Sequence, residues 1–201
     1  AANTEESLIE GAVFLGQLTF AAVIMMLVGI VVGIFSSLVT RLNPRKAFGA
    51  FLCHHKGGAA ILARLVKMVI SSRSTDKIFL DSDQLEELDL IFDIVRADTR
   101  NLVILMTDQT LNRMWCAGEI VSAVVNSVPI VPVLCDQQRF MDSGAIDSIE
   151  NVWSAEERNT LLMFGITMPG VQSAYRSLAA LEAIRYDRFG TPQEQADAIG
   201  R

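Results

Sequence analysis

The segment "HHKGG" (54–58) has residue types that bind phosphate, and it joins a strand-like run to a helix-like run. Free backbone amides at a helix N-terminus, together with a lysine ammonium, can receive a pyrophosphate, and imidazoles can add hydrogen bonds to a nucleotide. The candidate nucleotide-binding residues are therefore His54, His55, Lys56, Gly57 and Gly58, with the Ala59 amide beside them. A glycine-rich loop is also common for its turn geometry alone, so that alternative stays open. Two adjacent histidines without cysteine or carboxylate partners at ligand spacing do not indicate a metal site, and we predict none.

A second candidate is Glu119, the one charged residue in the helix-like stretch "MWCAGEIVSAVV" (114–125). Trp115 precedes it by four residues, so the two side chains lie on one face of a helix. A fixed carboxylate in a partly dry crevice stabilises a developing positive charge. Taken alone, a glutamate in a surface helix is more often a solvated charge, which is the alternative to any specific role.

A long apolar segment precedes these candidates. Residues 11–40 contain no Asp, Glu, Lys, Arg or His, and a helix needs roughly 20 apolar residues to cross a bilayer. A buried core helix would be amphipathic and a signal peptide would have a shorter apolar core, so we predict a transmembrane helix. Its flanks differ in charge, with Glu5, Glu6 and Glu10 before it and Arg41, Arg45 and Lys46 after it. Basic flanks mark the cytoplasmic side, which predicts a single-pass membrane protein with a cytosolic C-terminal domain.

Charge and cysteine content narrow the function classes. The net charge is −6 at pH 7, and an acidic chain is a poor nucleic-acid binder, so we predict no nucleic-acid partner. Cys53, Cys116 and Cys135 are odd in number and contain no C-x-x-C pair. This pattern indicates reduced cytosolic thiols.

Strand patterns and helix patterns alternate after the apolar segment. Four runs of five to eight residues are rich in Ile, Val, Leu and Phe in continuous rather than alternating order, as in strands buried on both faces, and they are 47–53, 77–81, 101–107 and 129–136. With helices between them, these runs predict an α/β fold with a five-stranded parallel, flavodoxin-like sheet, whose ligand crevice lies outside the carboxyl ends of the strands. Pro132 argues against the assignment of 129–136 as an inner strand, because a proline lacks the backbone amide donor and is usually confined to an edge strand.

The C-terminal elements are predicted from weaker patterns. We place the fifth strand within "LLMFGITM" (161–168) and the last helix within "VQSAYRSLAALEAIRY" (171–186). Ser154 and Glu157 have capping-box spacing and predict a helix start. Residues 187–201 are expected to form a polar tail.

The order of these motifs resembles that of the TIR (Toll/interleukin-1 receptor) domain family. The matching segments are "AFGAFLCHHKGGAAILARLV", "KIFLDSDQLEE", "NLVILMTDQTLNRMWCAGEI" with its W-C-x-x-E helix, and the proline-bearing strand "VPIVPVLCD". The family tolerates proline where Pro132 stands. The sequence departs from the family pattern at one point: the loop "SDQLEELD" (82–89) lacks the glycine that many members have there. Members of the family often use this loop for self-association.

The resemblance implies an activity for Glu119. Some TIR domains resemble enzymes that cleave NAD at the nicotinamide–ribose bond, and the essential carboxylate of their W-x-x-x-E helix matches Glu119 here. Nicotinamide leaves a cationic pyridinium as a neutral molecule, so the second, acidic group of ordinary glycosidases is not needed. A single anion then stabilises the oxocarbenium-like centre. The resemblance implies NAD as a substrate, held by Trp115 and residues 54–58, with no resident cofactor.

These observations predict a membrane-anchored cytosolic TIR signalling protein that acts by self-association, with other TIR proteins as further partners and NAD cleavage as an activity. One alternative is a TIR interaction module without catalysis. Another is the C-terminal part of a larger multi-pass membrane protein. The predicted segments are 1–10 (extracytoplasmic), 11–40 (transmembrane), 41–46 (basic juxtamembrane), 47–186 (TIR-like) and 187–201 (polar tail). Gly29 and Gly33 form a G-x-x-x-G pair that allows two membrane helices to approach closely, although glycine is frequent in such helices anyway.

Overall fold

The computed structural model describes residues 2–42, 46–81 and 90–199 of the chain. The chain forms two compact units, Ala1–Arg45 and Lys46–Arg201. The glycine-free loop at 82–89 lies outside the described residues. The bounds of the five segments 1–10, 11–40, 41–46, 47–186 and 187–201 stay predictions.

The first unit is a single helix, α1 (Ala2–Leu42), of 41 residues. Within it, Leu15–Leu38 has a mean hydropathy of 2.7 and exposed side chains throughout, so it is not a buried core helix of its unit. It is the one helix in the described part of the chain that is long and apolar enough to cross a membrane. A signal sequence near the N-terminus would meet the same criteria of length and composition.

The second unit is built on a five-stranded parallel sheet. Its strands are β1 (Phe48–His54), β2 (Ile78–Phe79), β3 (Thr99–Met106), β4 (Ile130–Cys135) and β5 (Ile184–Tyr186). Their order in the sheet is β2-β1-β3-β4-β5, with every neighbouring pair parallel. This is the flavodoxin-like order, which confirms the predicted fold class, and its ligand crevice lies at the carboxyl ends of β1 and β3, where the strand order reverses.

Helices cover both faces of this sheet. They are α2 (Lys56–Arg73), α3 (Ile91–Asp93), α4 (Met114–Val125), α5 (Ser143–Asp147), α6 (Ala155–Met163), α7 (Met168–Ala179) and α8 (Pro192–Ile199), with a π-turn at Ile94–Asp98 and a 3₁₀ turn at Ile149–Val152. The buried side chains of α2 join one apolar cluster, and those of α4, α6 and α7 join a second, larger one. The sheet therefore separates two cores, as in other doubly wound folds.

Pro132 is accommodated in β4 although this strand pairs on both sides. Its residue partner on β3 is Ile104. On the other side β5 pairs with β4 only over Val133–Cys135, so Pro132 lies just before that ladder begins. The missing amide donor is therefore compatible with a strand inside the sheet.

The predicted fifth strand at 161–168 is wrong. Met163 ends helix α6, Gly165 has a φ of +77°, and the Thr167 side chain accepts a hydrogen bond from the Gly170 amide as the N-cap of α7. A glycine after one helix and a threonine cap before the next are helix-boundary signals, and they outweigh the apolar composition of this run. The capping box of Ser154 and Glu157 at the start of α6 is confirmed.

The true fifth strand, β5, lies inside the segment 171–186 for which the sequence suggested only a helix. Helix α7 ends at Ala179, and the strand that follows has three residues. Helix α8 then lies within the predicted polar tail. Thr191 and Glu194 exchange hydrogen bonds at its N-terminus, with both the Thr191 amide and hydroxyl donating to the Glu194 carboxylate.

Candidate functional site

The alternation of side chains along β1 places Cys53 on the same side of the sheet as helix α4. Ala50 and Leu52 belong to the core under α2, whereas Phe51 and Cys53 belong to the larger core. On α4, Cys116 and Glu119 are three residues apart and face the same way. The Sγ atoms of the two cysteines and a carboxylate oxygen of Glu119 all lie within 4.8 Å of one another.

Hydrogen bonds fix the loop that leads from β3 into α4. The Thr110 hydroxyl accepts from the Thr107 amide at 3.0 Å and donates to the Leu105 carbonyl at 2.9 Å. From outside the loop, the Tyr175 hydroxyl donates to the Leu111 carbonyl at 2.6 Å, and Trp153 donates to the next carbonyl along the chain. The start of α4, and with it Glu119, is thereby held against the carboxyl end of the sheet.

Glu119 is a buried carboxyl group. It is 3% exposed, and among the described residues its Oε2 atom has no hydrogen-bond partner. Burial raises the pKa of Glu119 to about 8, while the Cys53 thiol and the positive charges of Arg113 and Lys56 act against that rise. The alternative of a solvated surface charge is therefore wrong for this residue.

The two cysteines beside Glu119 share its burial. Both thiols are 1% exposed and free of disulfide bonds. The Cys116 Sγ donates to the His54 carbonyl at 3.5 Å. Burial, followed by the influence of Cys116, raises the pKa of Cys53 well above its ordinary value, so this thiol keeps its proton at neutral pH.

His54 lies at the same end of β1 and is also buried. Its Nδ1 atom donates to the Leu52 carbonyl at 3.2 Å and lies 3.9 Å from the Asp81 carboxylate. Burial lowers the pKa of His54, which keeps the ring neutral at pH 7. Lys56 forms an ion pair with Asp81 at 3.3 Å. In the described part of the chain the His54 Nε2 and Asp81 Oδ1 atoms have no hydrogen-bond partner.

The start of α2 differs from the expected anion cradle. The amides of Gly58 and Ala59 donate to the His55 carbonyl at 3.1 and 2.9 Å, so they are not free as the sequence suggested. Gly58 has a packing role, because a Cβ atom there would lie 3.2 Å from the Thr107 hydroxyl at the end of β3. A Cβ at Gly57 would lie 3.0 Å from the His55 ring. These glycines therefore allow close packing at the start of α2. This structural role agrees with the alternative that the loop is rich in glycine for its backbone geometry rather than for phosphate binding.

A second positively charged side chain, in addition to Lys56, lies beside the start of α2. Arg188 donates to the Gly58 carbonyl at 2.6 Å and forms an ion pair with Asp136 at 2.5 Å. Hydrogen bonding to Arg188 lowers the pKa of Asp136. No sequence pattern pointed to this arginine, because it follows β5 in a segment expected to be a polar tail.

Among the described residues, three of the predicted nucleotide-binding residues line one cleft. A cleft of about 600 Å³ is lined by Lys56, Gly57 and Gly58 with apolar residues of α2 and with Arg188, but not by Glu119. Trp115 is half-buried and packs on Phe92, with ring centroids 5.7 Å apart, and on Phe164. His54 and Glu119 lie at the carboxyl end of the sheet, whereas Trp115 belongs to an aromatic cluster.

Sequence reasoning missed the partners of Glu119. Cys53 and Cys116 carry no recognisable spacing, and only the packing of α4 onto β1 brings them together. Asp81, which pairs with Lys56, is the last described residue before the loop at 82–89. The W-C-x-x-E spacing on α4 was the one available signal, because it places a cysteine and a carboxylate on one helical face.

The sheet order and the position of the W-x-x-x-E helix after β3 define the class: the second unit has the fold of a TIR domain, as the sequence resemblance implied. A similar solved structure is that of the TIR domains of the activated Roq1 resistosome, which directly recognises the pathogen effector XopQ. The match has a TM-score of 0.53 at 13% identity and covers 76% of this chain and 95% of that one. No protein-family model and no curated protein matches the chain. At this identity the likeness concerns the fold alone.

Proposed function

We propose that the chain is a membrane-anchored signalling protein whose cytosolic TIR-fold unit works by self-association. The observation that carries this proposal is the joining of a TIR fold to one apolar helix of membrane-spanning length. The similar TIR domains belong to an activated resistosome. Anchoring confines copies to one plane, which raises their effective concentration and favours weak contacts between them.

An exposed apolar stripe on α2 supports self-association. Ile61 and Met68 are 88% and 63% exposed, and Leu65 lies between them at helical spacing. A run of large exposed apolar side chains on one helix face is typical of an interaction surface. We assign the occupant as a second copy of the same chain, because anchoring in one membrane makes a second copy the partner at highest local concentration.

The test of this function is proximity between copies. Full-length chains labelled with donor and acceptor dyes are reconstituted at rising density in vesicles, and energy transfer between them is measured. The proposal expects transfer above that of randomly placed chains, and a loss of the excess when unlabelled protein is added. Transfer at the random level at every density would contradict it.

A second candidate function, NAD cleavage, is favoured by Glu119. A buried carboxyl with an unpartnered oxygen is costly to fold, so it is more often kept for function than for stability. It lies beside β1 at the carboxyl end of the sheet, where ligands bind in this class of fold. Lys56 is close enough for its charge to act on Glu119, and its ammonium also suits a pyrophosphate.

The chemistry of this candidate follows from the charge on NAD. The ground-state pyridinium is cationic, and the ribose carbon becomes cationic as neutral nicotinamide departs. A carboxyl group with a pKa of about 8 holds its proton in the free protein at neutral pH. A bound cation favours the carboxylate, so substrate binding is expected to drive proton release, and the resulting anion stabilises the oxocarbenium-like centre. Release of nicotinamide from NAD by the full-length chain in vesicles tests this candidate.

A further inference from the structure

Three metal-binding side chains converge in the larger core. Cys53 comes from β1, while Cys116 and Glu119 come from α4, and their ligand atoms all lie within 4.8 Å of one another. In a tetrahedral zinc site, with metal–sulfur bonds of about 2.3 Å and metal–oxygen bonds of about 2.0–2.2 Å, ligand atoms are roughly 3.5–3.8 Å apart. Small side-chain rotations would therefore close this group around one ion.

The surroundings of the group also point to a ligand. The Glu119 Oε2 atom is buried and, within the described parts of the chain, has no hydrogen-bond partner. Buried carboxylate oxygens in folded proteins are nearly always hydrogen-bonded or bound to a metal. Arg113 and Lys56 act on Glu119 with positive charge, which would offset the excess negative charge of two thiolates and a carboxylate around a divalent ion.

We infer that Cys53, Cys116 and Glu119 form a binding site for one thiophilic divalent ion, with Zn²⁺ as the best fit. Two sulfur ligands favour zinc over the hard ions Mg²⁺ and Ca²⁺, which prefer oxygen ligands throughout. Three protein ligands leave the fourth position of a tetrahedral ion open to water. At neutral pH, binding removes a proton from each thiol and from the Glu119 carboxyl group, and it breaks the hydrogen bond from the Cys116 thiol to the His54 carbonyl.

This site and the proposed NAD chemistry use the same carboxylate. Metal bound at Glu119 would exclude its action on a ribose cation, so zinc would inhibit nicotinamide release; this consequence rests on the proposed function. Metal binding itself does not depend on the proposed function, because the packing of α4 on β1 places the three ligands. A spectroscopic test without NAD therefore separates the two proposals.

The test uses the reduced, chelator-treated full-length chain in detergent, titrated with Co²⁺. One Co²⁺ per chain should give thiolate-to-cobalt charge-transfer absorption, and one equivalent of Zn²⁺ should abolish it. Cys53→Ala and Cys116→Ala should each remove this absorption. Glu119→Gln should weaken binding by at least the roughly 10- to 100-fold that loss of an outer-sphere partner costs. Cys135→Ala is the matched control, because this buried thiol lies on β4 in the other core.

X-ray absorption at the zinc edge of the wild-type chain keeps the test independent of how the variants fold. Two sulfur atoms at about 2.3 Å with oxygen or nitrogen at about 2.0–2.2 Å are expected. An absence of cobalt charge-transfer absorption in the wild-type chain would overturn the site. Absorption that survives Cys53→Ala but is lost in Cys135→Ala, or a zinc shell with no sulfur, would do the same.

Discussion

The Glu119 carboxylate on α4 and the Cys53 thiol on β1 lie within 4.8 Å of each other inside the larger core. Both residues are almost completely buried, at 3% and 1% exposed. Burial of a carboxyl group in apolar surroundings disfavours its charged form, and a neighbouring thiol compensates only in part. This pairing makes Glu119 a group whose charge state is coupled to both stability and ligand binding.

The first prediction concerns stability and pH in the metal-free chain, with EDTA present. Glu119 keeps its proton up to a pKa of about 8 in the folded state, whereas in the unfolded state it loses the proton near its ordinary value of 4.5. Between these values the unfolded state binds fewer protons, so stability falls as pH rises. Glu119→Gln removes this loss, and its free energy of unfolding should exceed that of the wild type by on the order of 4 kcal/mol at pH 8.

Tryptophan fluorescence during urea unfolding measures this difference. Trp115 and Trp153 are the two tryptophans of the chain and both lie in the second unit, so the signal excludes α1. The advantage of Glu119→Gln should shrink towards pH 5. Glu156→Gln, at an exposed position in the first turn of α6, serves as the control and should show no such trend. An equal stability difference at pH 5 and pH 8 would refute the buried titration.

The strands show how much of the fold the sequence contained. Runs at 47–53, 101–107 and 129–136 match β1, β3 and β4 to within two residues, because strands buried on both faces are continuously apolar. Strand β5 was missed because it has three residues and an exposed arginine in its middle, Arg185. The more apolar run at 161–168 is the end of one helix and the cap of the next.

The candidate site was predictable only in part. The W-x-x-x-E spacing singled out Glu119, but its burial depends on which face of α4 packs against β1, and no local pattern encodes that choice. The glycines at 57 and 58 were visible as a loop before a helix, whereas their close contact with Thr107 depends on the neighbouring strand. Long-range packing decided each case, and a single sequence does not report it.

The second prediction tests the α2 stripe. Ile61→Glu places a charge in the proposed contact between copies and should reduce the energy transfer between chains in vesicles to the random level. Met163→Glu is the matched control, because Met163 is 86% exposed at the end of another helix, α6. Both positions are exposed, so neither change is expected to alter stability by more than about 0.5 kcal/mol. Equal effects of the two variants would remove α2 from the interface.

The third prediction concerns the glycine pair of α1. Gly29 and Gly33 have open space around them in the helix, so they present a flat face to a second helix. Replacing both by Ile should weaken helix dimerisation in a membrane reporter assay by about 1–2 kcal/mol. The same double change at Val28 and Val32, one position earlier on the helix, is the control. If the two double variants behave alike, the glycines do not form a dimer face.

The fourth prediction is the topology. The apolar helix should keep the protein in membranes during alkaline carbonate extraction, which releases peripheral proteins. In sealed right-side-out vesicles, protease added outside should leave the second unit intact, because the basic flank favours a cytoplasmic location. Digestion of that unit before detergent is added would reverse the orientation. Recovery of the chain in the soluble fraction without α1 would identify the helix as a cleaved signal sequence.

The fifth prediction concerns the pH dependence of NAD cleavage. The reacting form of Glu119 is the carboxylate, and its pKa in the free protein is about 8. The value of kcat/KM should therefore rise with pH until it levels off above about 8, since this parameter reports ionisation of the free enzyme. A profile that is flat between pH 6 and 9, or that falls with rising pH, would exclude Glu119 as the titrating group.

Release of nicotinamide from NAD by the full-length, metal-free chain, clustered at high density in vesicles, tests the role of Glu119 most directly. The wild type should release nicotinamide. Glu119→Gln keeps the size of the side chain but removes its charge, and should lower kcat/KM by roughly 10²-fold or more. Glu156→Gln should retain the wild-type rate. No nicotinamide release by the wild type at any density, or an unchanged rate in Glu119→Gln, would contradict catalysis by Glu119 and leave a signalling module that acts by association alone.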